Sequence, residues 1–72
     1  MEQLLTGPDL ARLRKLVPRL TQVSVSRQAA IELARLVQIE SGEAVPSLEE
    51  LIQIFSVLRA ERRREVRERM NS

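Results

Sequence analysis

The sequence predicts a mainly α fold in which a short N-terminal helix precedes one β-strand that pairs across a dimer, followed by two further helices. Three observations carry that expectation. Apolar residues recur at helical spacing in three segments that open near Leu10, Ala30 and Leu51. Between the first two, Thr21 to Ser26 alternates apolar and polar residues, and a lone strand has no partner within its own chain. Finally, the chain has 72 residues with no Cys and no His. Neither a disulfide nor a zinc site can supplement so small a core, which leaves oligomerisation as the stabilising device. The alternative is an all-α three-helix dimer in which residues 21–26 are merely a loop.

Each element has a local reason. Thr6-Gly7-Pro8-Asp9 reads as a helix start, with Thr6 or Gly7 at the cap, Pro in the first turn and an acid where the helix dipole favours one. Leu10, Leu13, Leu16 and Val17 form one face, and Pro18 ends the segment. Thr21, Val23 and Val25 then alternate with Gln22, Ser24 and Ser26, a pattern and composition that suit a half-buried strand. A plainer reading of the same stretch is an extended linker whose serines cap the next helix. From Arg27 to Ser41 the spacing predicts one helix, with Ala30, Leu33, Ala34 and Val37 on one face, Leu36 and Ile39 widening it, and Gly42 at its end.

After Glu43 to Pro46, Ser47-Leu48-Glu49-Glu50 forms a capping box that starts a long helix near residue 48. Its first half, "LIQIFSVL" from Leu51 to Leu58, is apolar nearly all round and is expected to be buried by a second subunit. From Arg59 to Arg69, six Arg stand against Glu61, Glu65 and Glu68, a local charge of +3 in a chain of net +2, which leaves residues 1–58 at −1. Packing along that stretch is thin, and a projecting, fraying helix is expected. The chain is read as a single small domain, 1–72, made of an N-terminal helical extension (1–18), a dimerisation core (20–58) and an Arg/Glu-rich helical tail (59–72).

Chemistry that enzymes need is missing. There is no His, Cys or Tyr, one Lys (Lys15) and one Asp (Asp9), and no Gly-rich phosphate loop or metal-ligand spacing. No catalytic residue, metal or cofactor is therefore expected. Phe55 is the only aromatic ring, which disfavours the base stacking on which single-strand and most RNA binders depend. The apolar runs are short and interrupted by charge, so a soluble, cytoplasmic protein without membrane span or signal peptide is expected.

"VSVS" (23–26), then Ala29, Leu33, Leu36 and Val37, "ESG" (40–42) and "SLEELI" (47–52) resemble the ribbon-helix-helix family of small DNA-binding proteins over residues 21–58. The resemblance implies a homodimeric, repressor-like transcriptional regulator whose paired strands enter the major groove of duplex DNA. It implies base contacts from Gln22, Ser24 and Ser26, since Gln can hold adenine in bidentate fashion and Ser discriminates less. Phosphate contacts fall to Arg19 and Arg27, which flank the strand, and to Ser47 and Leu48 at the helix N-terminus. The dimer core implied comprises Val23, Val25, Leu33, Leu36, Val37, Leu51, Ile52, Phe55 and Leu58. Against this stand the absence of Lys or Arg on the strand's outer face and a turn from Gly42 to Ser47 longer than the family's usual link.

A different class of function stays open beside it: a small all-helical protein–protein interaction module, an adaptor or inhibitor that binds no DNA. The tail reads first as a solvated charged helix that needs no role, and otherwise as a second, sequence-blind DNA contact through Arg62, Arg63, Arg64 and Arg67, or as a partner-binding helix. Residues 1–18 or 59–72 are the candidate contacts for a protein partner.

Overall fold

The structure, a computed structural model, describes residues 6–71. The first five positions of the expected N-terminal extension, and Ser72, lie outside the described residues. Among the described residues four helices follow one another: α1 (Gly7–Lys15), α2 (Gln22–Ala29), α3 (Leu33–Ser41) and α4 (Leu48–Asn71). There is no strand among the described residues. The expected strand is thereby overturned, and with it the ribbon pairing across a dimer; the architecture agrees with the all-helical alternative, with four helices where three were expected.

Thr6 starts α1 through a two-way cap. Its Oγ1 accepts from the Asp9 amide at 3.3 Å, and the Asp9 carboxylate accepts from the Thr6 amide at 3.0 Å. That amide hydrogen bond, reinforced by the Arg12 guanidinium, holds the Asp9 carboxyl below its ordinary value. Leu10 and Val17 face inward, whereas Leu16 is turned to the surface.

Residues 22–29 are helical for reasons a period-two reading does not see. Thr21 is an N-cap, its hydroxyl accepting from the Ser24 amide at 3.1 Å, and the Val25 amide donates to the Thr21 carbonyl at 3.0 Å. Val25 and Ala29, one helical turn apart, are both buried, while Val23 is exposed. The two valines therefore do not share a face as they would on a strand. A helix satisfies its own backbone, and the described residues hold no second strand to satisfy an extended one.

The single helix expected from Arg27 to Ser41 is also corrected. It breaks at Ala30, which takes the left-handed conformation (φ 59°, ψ 40°) with no Gly to signal it. Buried Ile31 fills the turn, donating its amide to the Ser26 carbonyl at 2.9 Å. Gly42 does end α3, at φ 90°, a conformation that favours glycine.

Ser47 and Glu50 form the capping box at the head of α4, with the Ser47 amide 2.8 Å from the Glu50 carboxylate and the Glu50 amide 3.1 Å from the Ser47 hydroxyl. α1 packs on α3 and α4, and α2 on α3 and α4. Leu10, Val25, Leu36, Ile39 and Ile54 are the largest fully buried side chains at the centre. α4 runs to Asn71; past Leu58, Glu61 and Glu65 are half-buried and the other described side chains are exposed. Among the described residues, no helix is long and apolar enough to cross a membrane.

Candidate nucleic-acid interface

α2, the three-residue turn Ala30-Ile31-Glu32 and α3 follow one another as helix, turn and helix, with α2 packed on α3. The inner face of α3 is set by Leu36, Ile39 and Glu40, all buried, with Leu36 and Ile39 in the core and Glu40 gripped by Arg14. The outer face follows by periodicity: Leu33, Ala34, Val37, Gln38 and Ser41 are all exposed, with Glu32 exposed at the N-cap. Of the inner face expected from sequence, Leu36 and Ile39 are buried while Ala30, Leu33, Ala34 and Val37 are exposed, because both sides of this helix carry apolar residues and its inward acid has a buried partner.

The outer face of α3 carries no cation. Arg35, the only Arg of α3, turns away to α4, where its Nε and Nη2 donate to the Glu50 carboxylate at 2.9 Å each and Nη2 also reaches the Val45 carbonyl at 3.2 Å. The Arg35 hydrogen bonds, with the Ser47 amide next in weight, hold Glu50 well below the ordinary carboxyl value, at about 2. The same pairing raises Arg35 above its ordinary value.

The residues expected to read bases do not form a row. Gln22 donates from Nε2 to Glu40 at 2.9 Å, Ser24 accepts from Gln28 Nε2 at 2.9 Å, and buried Ser26 donates to the Val23 carbonyl at 2.9 Å. All three are occupied within or beside α2. Of the expected phosphate contacts, Arg19 is exposed in a left-handed conformation (φ 75°), its guanidinium 3.8 Å from Glu68. Arg27 is exposed on the last turn of α2. Ser47 and Leu48 sit at the head of α4, but the Ser47 and Glu50 amides are engaged in the capping box, and Glu49 and Glu50 lie in the first turn. That is a poor setting for an anion.

The expected dimer core divides. Val25, Leu36 and Leu58 belong to this chain's own core and Leu51 packs against it, whereas Val23, Leu33, Val37, Ile52 and Phe55 are exposed. Sequence reasoning missed Gln38, an exposed carboxamide on the α3 face that makes no side-chain hydrogen bond among the described residues. It lies one turn from Ala34 and three positions from Ser41, a row that reads as outward only once the inner face of α3 is known. The chain matches no family model, no curated protein and no solved structure.

Proposed function

We propose that this chain is a duplex-DNA-binding regulator that presents α3 to the major groove. The observation that carries the reading is the α2–turn–α3 unit, whose second helix has a wholly exposed outer face from its first turn to its last. An α-helix fits the major groove, Gln38 has the chemistry to hold adenine N6 and N7 in bidentate fashion, and Leu33, Ala34 and Val37 suit thymine methyl groups. The face is therefore suited to A·T-rich sequence. Arg19, in the loop before α2, and Arg27, on its last turn, are the phosphate contacts in this reading. The Arg-bearing part of α4 adds positive potential that acts at longer range.

The test is anisotropy on duplexes selected from a random pool at low salt. The wild type binds, Gln38→Ala loses about 1–3 kcal/mol and its preference at one A·T pair, and Arg27→Ala lowers the salt slope by about 1 with sequence preference unchanged. Absence of duplex binding at low salt overturns the reading.

A specific observation favours a second reading, an all-helical protein-interaction module. The α3 face joins exposed Leu33 and Val37 to Glu32 without a single Lys or Arg. Under this reading Val37→Asp leaves the fold intact, no duplex is retained by either protein, and a protein partner held by the wild type is released by the variant.

A further inference from the structure

Along α4, Leu48, Ile52 and Phe55 recur at spacings of four and three and lie opposite the buried Ile54 and Val57, so the three form one outward stripe. They are 73%, 58% and 41% exposed. Arg59 and Arg62 continue the same stripe, while Glu49 lies on its flank at the other end. Beside Phe55 a shallow apolar hollow is formed by Leu13 and Leu16 of α1 together with Leu58, and Arg59 and Arg62 rim it.

We propose that this stripe is the interface of a homodimer in which two copies of α4 pack antiparallel, about a two-fold axis at the level between Gln53 and Ile54. Charge selects the direction. A parallel pair would set Arg59 and Arg62 against themselves, whereas the antiparallel pair sets Arg59 of each copy beside Glu49 of the other. Shape selects the register. With that axis Ile52 meets Phe55, and Leu48, the most protruding of the three, reaches the level of Arg59, where the hollow beside Leu16 receives it as a knob in a hole.

Size is consistent with this arrangement. The stripe from Leu48 to Arg62 is about 21 Å long at 1.5 Å per residue. A standard interface takes about 800 Å² from each partner, some 15% of this chain's 5312 Å² surface. The Leu16 hollow and exposed Val45 widen the stripe toward that area. An isologous contact of this kind also closes on itself, so assembly stops at two. The dimer does not depend on DNA binding.

Sedimentation equilibrium on the full chain tests it. The wild type sediments as a dimer at about 50 µM, and Ile52→Glu/Phe55→Glu is a monomer whose helical circular-dichroism spectrum is unchanged, because neither residue supports the core. Glu49→Arg and Arg59→Glu each weaken the dimer about tenfold, which at 1.4 kcal/mol per decade is within the range of interfacial charge pairs. The two changes combined restore it. A monomeric wild type at that concentration overturns the proposal, as does a folded dimer that survives the double glutamate change. A charge-swapped double variant no tighter than either single one overturns the antiparallel register.

Discussion

Arg14 on α1 and Glu40 on α3 form a two-pronged ion pair. Nε meets Oε2 at 2.8 Å, Nη2 meets Oε1 at 3.0 Å, and the side chains are only 12% and 5% exposed. The remaining Arg14 nitrogen donates to the Leu20 carbonyl at 3.1 Å, and Gln22 Nε2 shares Glu40 Oε1 at 2.9 Å. The Arg14–Glu40 pair thus joins α1 and α3, with Arg14 holding the loop before α2 and Glu40 the first turn of α2. The network joins α1, α2 and α3 beside the apolar core.

Breaking that pair is expected to cost far more than removing it whole. Arg14→Ala or Glu40→Ala leaves a buried charge uncompensated, at about 3–5 kcal/mol, a large part of the stability available to a chain of 72 residues. The paired change Arg14→Met/Glu40→Leu deletes both charges together and is expected to lie within about 1 kcal/mol of the wild type. Urea unfolding of the three variants beside the wild type checks this. A loss in the double variant equal to the sum of the two single losses would show that the pair has no coupling.

Gly7 is expected to be intolerant of a single added carbon. It opens α1 against the end of α3, and a Cβ there would fall on the Ile39 carbonyl, a backbone atom that no side-chain rotation can move aside. Gly7→Ala therefore separates the two helices and is expected to cost about 3 kcal/mol. The same change at Gly42 meets only Pro8 side-chain atoms at 3.6 Å and 4.0 Å, so its cost is the left-handed backbone alone, about 1–2 kcal/mol. Thermal melts that rank Gly42→Ala as the worse of the two would contradict this account of the α1–α3 contact.

The capped helix ends were legible in sequence because caps are local. Thr6 with Asp9 and Ser47 with Glu50 are three positions apart, and Gly42 announces a left-handed residue by itself. What local pattern did not carry was which side of each helix faces in. In "ELARLVQIES" both faces hold apolar residues, and the decision rests on Glu40 meeting Arg14, twenty-six positions away. The same long-range grip on Gln22 fixes the first turn of what alternation had suggested was a strand. The break at Ala30 had no signal, since an alanine stands where a glycine would have marked the turn. The site was hidden for the same reason: the exposed row from Leu33 to Ser41 is defined only once the inner face is known.

Ala30 is expected to be a place where the chain can be made more stable. At φ 59° an L-residue with a Cβ carries about 1–2 kcal/mol of steric cost that glycine avoids, and the Ala30 side chain is exposed and contributes nothing to the core. Ala30→Gly recovers that cost, less the extra freedom glycine gives the unfolded chain, about 0.4–1 kcal/mol. A net gain of about 0.5 kcal/mol is expected, read as a higher urea midpoint at unchanged slope. A loss of stability would mean that the strain is not where the backbone angles place it.

Acid should weaken the α3–α4 contact through Glu50. Its carboxyl sits at about 2 in the fold against an ordinary value of 4.5, because Arg35 donates to it twice and the Ser47 amide once. The folded state binds that proton less readily than the unfolded state, so the contribution is fully present above pH 4.5 and is lost as pH falls from there toward 2. Taken whole, that lowering corresponds to about 3 kcal/mol. The Arg35 and Glu50 side chains are 36% and 20% exposed, and screening by solvent reduces the expected contribution to about 1 kcal/mol. Asp9 is lowered too, at the α1 cap, and so adds to the acid sensitivity of the wild type. The difference between proteins isolates Glu50: the loss of unfolding free energy between pH 6 and pH 3 should be about 1 kcal/mol smaller in Glu50→Gln than in the wild type. Parallel pH profiles for the two would remove Arg35 and Glu50 from any role in holding α3 to α4.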